Sequence, residues 1–368
     1  MQNALDKVTI KGFKSICSLK DFELTNLNVL IGGNGAGKSN FIEFFRLLRA
    51  IMDDNLNDFI RNGGGISDFL FNGRKVTNRL EFEMFFGERG YRFHITPGAK
   101  EQCSIAGEAR FYESSTSGWW FLGHSNDGTS LLVKEAKSKS KDSKYSKPVY
   151  DAITSWRIYH FHDTSSTAGM RHAEIIQDNK KLRHDGSNIA PCLLGLQKNN
   201  SSIYSEIIDA VRLVIPFFDN FILEPEEFGE KKTVNLSWKQ KGSDYPMQPY
   251  HFSDGSIRFI CLATALLQPE PPSTMIFDEP ELGLHPSAIS ILAELIQSSA
   301  KQTQLIVATQ SPLLINDFAV EDIIVVNRKN GASTFERLQE KDFNVWLEEY
   351  SVGELWTKNV IAGGPTHE

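Results

Sequence analysis

The run Gly32-Gly33-Asn34-Gly35-Ala36-Gly37-Lys38-Ser39 fits GxxxxGK[ST] without a mismatch. Glycines at these positions let successive backbone N–H groups turn inward around phosphate oxygens. The lysine adds a compact positive charge, and the hydroxyl after it can ligate Mg²⁺. Asn40 continues the turn. A second group, Asp278-Glu279, closes the apolar run TMIF. Carboxylates at the carboxyl end of a parallel strand stand where ligands of such sheets bind. Asp278 suits the Mg²⁺ sphere, and Glu279 suits polarising a water against a γ-phosphate. A third group, Ser253-Asp254-Gly255-Ser256, opens an amphipathic helix shortly before that strand. Taken alone it reads equally well as a helix cap or an anion site.

These groups need elements to hold them. LNVLI (Leu27–Ile31) ends at the glycines, and FIEFFRLLRAIM follows with helical periodicity, so the spacing predicts strand, turn and helix. RLEFEMFF, YRFHI, ARFYES and SGWWFLG predict antiparallel strands. VKEAKSKSKDSKYSK (Val133–Lys147), with six lysines among serines, predicts a solvated, mobile loop. The pattern is helical from Asn188 to Val214, and Lys232–Gln240 alternates as one strand. Helix (255–267), strand (274–277), helix (287–299) and strand (305–308) then alternate as in a parallel α/β sheet. A hairpin turning at Asn330-Gly331 follows. Neither an internal repeat nor sustained heptads occur.

Composition is that of an ordinary soluble globular chain, 40% hydrophobic and 23% charged. A net charge of −7 argues against a protein that coats nucleic acid, while leaving room for a local basic groove. Cys17, Cys103, Cys192 and Cys261 show no CxxC pair or zinc spacing and read as small buried apolar residues. With neither a signal-peptide pattern nor a bilayer-spanning run, the expected location is the cytoplasm, with no membrane partner.

Together SDGS, the Asp-Glu-Pro strand end, ELGLHP and ATQSP (Ala308–Pro312) resemble the heads of ABC-type ATPases. The match is to the RecF/SMC/OLD-like clade, in its branch of stand-alone bacterial AAA-family ATPases. VTIKGFKSI, YHFHDTS (Tyr159–Ser165), DGSNIAPCL and WLEEYSVGELWTKN resemble further stretches of that clade. The fold this implies is α/β: an ABC-type P-loop head with a mixed or parallel sheet core, an antiparallel β lobe and a helical insertion before the signature. Residues 1–100 and 249–368 would form the two parts of the head, and 101–248 the lid-like insertion. The resemblance further implies ATP and Mg²⁺ as cofactors, and FSDGS as the ABC signature. Ser253, Asp254 and Gly255 would then meet the nucleotide on a second subunit's P-loop, and Leu282–His285 would be the D-loop near a dimer axis. Gln310 takes the switch position, where His is usual. No Q-loop glutamine can be placed; Gln102 and Gln177 are candidates.

The function implied is a cytosolic ATPase that hydrolyses ATP between two subunits, in a homodimer or higher oligomer. Its ATP-gated dimer would control a separately encoded nuclease or toxin in bacterial anti-phage defence. DNA repair or DNA-end sensing stands as the alternative, and DNA binding stays open. A transporter motor is disfavoured by the roughly 215 residues between P-loop and signature, and a small-molecule kinase by the signature and D-loop. Only 58 residues follow Gln310, short of the nuclease domain that OLD-type proteins carry there.

Overall fold

The P-loop strand, Leu27–Ile31, is buried along its whole length in a six-stranded sheet. A computed structural model describes residues 4–361, apart from 99–101, 114–117, 344–345 and 347. Leu27–Ile31 pairs in parallel with Gln304–Thr309 on one side and Ile323–Lys329 on the other. Thr274–Asp278 and then Arg157–Tyr159 extend the parallel set, and Ala332–Arg337 closes the opposite edge as the antiparallel arm of a hairpin. Alternate residues supply two cores, as the period of a strand requires. Val29, Ile31, Met275, Phe277, Leu305 and Val307 face the helices Asp254–Leu266 and Pro286–Ser299. Leu30, Ile276, Ile306 and Ala308 face the P-loop helix, Lys38–Met52. Burial on both faces is why these strands read as continuous apolar runs.

The P-loop helix buries Phe41, Phe44 and Phe45, each worth roughly 1.5–3 kcal/mol on transfer from water. It packs them toward a second six-stranded sheet, wholly antiparallel, built from Lys7–Phe13, Ile16–Glu23, Leu80–Phe86, Arg89–Pro97, Cys103–Tyr112 and Gly118–Ser125. The expected mixed core and antiparallel lobe are both present. A division at residue 100 lies outside the described residues, and strands on either side of it pair in one sheet, so the lobe continues through Ser125.

Two expected elements differ. The lysine-rich segment is helical over Leu131–Lys137 and Ser143–Ser155, with only 138–142 between them. Buried Leu132, Val133, Val149 and Ile153 anchor those helices, and Arg110 pairs with Glu135 at 2.9 Å. The six lysines remain on the outer face. Residues 232–240 form two strands in different sheets, Lys231–Val234 and Ser237–Gln240. Of the cysteines, three are buried and Cys17 is exposed. Among the described residues no helix is long and apolar enough to cross a membrane.

Candidate functional site

The P-loop leaves its strand at Gly32, whose φ is +156°; a Cβ there would lie 2.2 Å from the Val326 carbonyl oxygen. Only glycine lets the loop pass so close to the neighbouring strand. The helix that follows begins after Gly37 with no side-chain cap, so its first N–H groups stay available to an anion. Gly35, Asn34 and Ser39 are exposed, as an open phosphate cradle requires. Lys38 is only 6% exposed, and its ammonium donates to the carbonyls of Gly32 (2.6 Å) and Gly33 (3.3 Å).

The loop is braced from behind by residues far away in the chain. Ser333, on the final hairpin, donates to the Ala36 carbonyl at 2.5 Å and shares a 2.7 Å hydrogen bond with Ser15. The Asn40 amide donates to Ser15 Oγ at 2.7 Å. Asn40, expected beside the nucleotide, is therefore committed to this brace.

Asp278 and Glu279 stand at the carboxyl end of their strand, as expected, and the fold adds Glu281. Burial is the largest influence on Lys38 and lowers its pKa; Glu279, Asp278 and Glu281 oppose that shift. Burial raises the Asp278 pKa, and neighbouring Glu279 raises it further; His162, Arg46 and Lys38 pull it back. Glu281 is raised by burial, against hydrogen bonds from Thr309 and the Gln310 backbone. Thr309 Oγ1 donates to Glu281 Oε1 at 2.5 Å and Gln310 N–H donates to it at 3.3 Å, while Glu281 Oε2 has no hydrogen-bond partner among the described residues. Thus Glu281 fixes the end of the Gln304–Thr309 strand, and from there the Gln310 side-chain amide donates to Glu279. Glu279 itself has φ +44°, an uncommon conformation for a residue with a Cβ.

Neither Q-loop candidate comes to this place. The Gln102 carbonyl closes a turn with Gly98, and Gln177 is exposed in another turn. The strand that flanks the Asp278 strand, Arg157–Tyr159, instead delivers His162, whose Nε2 lies 2.8 Å from the Asp278 carbonyl oxygen. Buried Arg258 of the signature helix holds this segment by donating to the carbonyls of Phe161 (2.9 Å) and His162 (3.1 Å). His162 stands three residues beyond an edge strand; the sequence marks its segment, YHFHDTS, only by resemblance, and the pairing of strands is what sets it beside Asp278.

The SDGS segment is built differently. Ser253 caps its helix, accepting from Ser256 N–H at 3.1 Å. Asp254 pairs at 2.8 Å with Arg171, which also donates to the carbonyls of Thr164, Pro249 and Phe252. A Cβ on Gly255 would lie 2.4 Å from the Gly283 carbonyl oxygen, so this glycine sets the close approach of the D-loop. Ser253 and Asp254 are exposed, as is Leu282 at 49%. Among the described residues no hydrogen bond or ion pair joins 253–255 to the P-loop of the same chain.

Residues 27–316 match the family described as "AAA domain, putative AbiEii toxin, Type IV TA system". The chain belongs to that family. No curated protein matches it. Among solved structures, an Smc head bound to the C-terminal winged-helix domain of ScpA shares 18% identity at a TM-score of 0.62, covering 92% of this chain and 99% of that one. A Pyrococcus furiosus Smc head with an extended coiled coil shares 16% at a TM-score of 0.54, covering 94% and 99%. The fold is that of an ABC-type, SMC-like ATPase head.

Proposed function

We propose that this chain is a cytoplasmic ATPase that closes as a homodimer around two ATP molecules, each held by one subunit's P-loop and the other's signature. The observation that carries this reading is the separation of the two parts. Charged groups for phosphate crowd at Lys38, whereas the Ser253–Gly255 segment is rigidly presented to solvent with no bond to its own P-loop. Lys38 would leave the Gly32 and Gly33 carbonyls for a phosphate, with the N–H groups of residues 33–39 completing the cradle. Bound Mg²⁺ would neutralise phosphate charge, with Ser39 and Asp278 as its ligands from the chain. Glu279 would accept a proton from the attacking water, and Gln310, already donating to Glu279, would hold carboxylate and water in line.

The family's link to a toxin–antitoxin system supports a closed dimer that releases or restrains a separately encoded toxin or nuclease, in defence against phage. The likeness to Smc heads supports a second reading, control of DNA in repair or end sensing. The shared site is tested by mixing a Lys38→Ala chain with a Ser253→Arg chain, each inactive alone. Half of a randomly mixed population would pair the two mutants, and each such dimer has one intact site, so about a quarter of native ATPase activity is expected at equal ratio. No recovery at any ratio, with both chains folded, would remove the trans signature.

A further inference from the structure

A cleft of about 930 Å³ opens along the P-loop helix beside its Arg46, Arg49, Ala50 and Asp53. Its lining holds five cations (Arg46, Arg49, Arg157, Lys181 and Arg183) and one carboxylate, Asp53, on a chain whose net charge is −7. Three of the arginines have acidic partners: Arg46 with Glu43, Arg49 with Asp53, and Arg183 with Glu174 and Asp178. Arg157 and Lys181 have no carboxylate partner among the described residues. The Arg157 guanidinium donates only to the carbonyls of Thr154 (3.4 Å) and Trp156 (3.1 Å), and Arg49 donates to that same Thr154 carbonyl. Two guanidiniums therefore share one carbonyl oxygen, and the one carboxylate lining the cleft, Asp53, is bonded to Arg49 and reaches Arg157 only electrostatically. Burial lowers the Arg157 pKa and the adjacent Arg49 charge lowers it further. Trp156 forms part of the wall, and its buried indole N–H has no hydrogen-bond partner among the described residues.

We propose that this cleft binds the phosphate of a phosphate-bearing ligand, either the backbone of a nucleic-acid strand or a free nucleotide. Paired guanidinium forks match phosphate oxygens in plane and charge. The partly exposed ring of Phe59 and the edge of Ile158 give a planar base an apolar wall, which an acidic peptide does not need. The volume is at the upper end for a small ligand and admits one or two nucleotide units. The cleft also borders the ATP site. His160 lines it and packs on His162 with ring centroids 4.1 Å apart, and His162 bonds the Asp278 carbonyl. Arg46 lines the cleft and acts electrostatically on Asp278. This inference does not depend on the ATP-gated dimer.

The test is fluorescence anisotropy on the full chain. The probes are a short labelled single-stranded oligonucleotide, a labelled duplex, a labelled polyglutamate peptide and, in the Lys38→Ala chain so that the P-loop does not compete, a labelled ATP analogue. The double variant Arg157→Glu/Lys181→Glu is compared with Lys139→Glu/Lys141→Glu, which makes the same charge change at exposed lysines outside the cleft. At least one phosphate probe should bind and weaken by about tenfold or more in the cleft variant, with less than about twofold change in the control. The probe that binds identifies the source of the phosphate. Lys181→Glu alone, at an exposed side chain that folding does not need, should weaken binding in the same direction if the double variant fails to fold. Equal losses in both double variants, no binding of any phosphate probe, or binding of polyglutamate alone would overturn the proposal.

Discussion

The phosphate end of this head and its signature end are built on opposite principles. Around Lys38 the chain concentrates charge in a half-buried space, where three carboxylates press on one lysine and burial shifts the pKa values of Lys38, Asp278 and Glu281. Around Ser253 the polar groups are exposed, and precision comes from backbone fit: the Gly255–Gly283 approach and the Arg171 clamp. The first end gathers carboxylates and a lysine in one half-buried space. The second is held by its own helix cap and the Arg171 clamp, and among the described residues it makes no hydrogen bond or ion pair with the P-loop of the same chain. On the reading proposed above, a nucleotide would complete the one and a second subunit the other.

The largest effect should come from removing the lysine of the charged end. Lys38→Ala should weaken binding of a fluorescent ATP analogue by at least about 30-fold, in line with the 2–5 kcal/mol typical of a buried charge losing its partner. Because Lys38 is buried against loop carbonyls and not a surface cation, a modest loss of melting temperature should accompany it. Unchanged ATP affinity would mean that the crowded carboxylates do not serve nucleotide at all.

Glu279→Gln separates binding from chemistry at the same end. Hydrolysis should fall by a factor on the order of 10²–10⁴, as for loss of a general base, while ATP affinity stays near native. The ATP-bound dimer should then accumulate, visible as a doubled mass in light scattering. A fully active Glu279→Gln chain would assign the proton transfer elsewhere.

Gln310 sharpens the comparison because its amide already reaches Glu279 before any nucleotide arrives. In single-turnover assays Gln310→Ala should slow hydrolysis about tenfold at near-equal ATP affinity, the loss of one positioning hydrogen bond. Gln310→His should at least match native, since imidazole can also carry positive charge toward the transition state. Equal rates in all three chains would remove Gln310 from the site.

The smallest effect concerns Glu281, a carboxylate whose folded pKa is raised mainly by burial. The folded protein then holds its proton more tightly than the unfolded chain. This group's contribution to stability is therefore fully present below the unfolded pKa and is lost as pH rises through the folded one. Glu281→Gln keeps an oxygen for Thr309 and the Gln310 N–H. It should raise the nucleotide-free melting temperature at neutral pH by a few degrees and flatten its fall between acid and neutral pH. A lower melting temperature across the whole range would show that the charged form is needed for folding.

The glycine-rich loop, the Asp278-Glu279 strand end and the SDGS helix opening were legible in the sequence because each is a contiguous run on a turn or element end between periodic elements. The strand–helix alternation around them was legible for the same reason: burial writes a short-range pattern. The lysine-rich segment was misread because its composition is that of a solvated loop, whereas the buried residues that anchor its two helices, Leu132, Val133, Val149 and Ile153, flank the lysines and do not lie among them. Everything that makes the site particular was decided by tertiary structure. Ser333 reaches Ser15 across 318 positions, His162 reaches Asp278 across 116, and Arg171 reaches Asp254 across 83. Contacts over such separations arise from the order in which strands pair and helices cover them, and they leave no periodicity or spacing in the chain. The sequence by itself determined the contiguous motifs on which the proposed phosphate chemistry rests; the packing of its two sheets decided which distant side chains brace, orient and electrically load them.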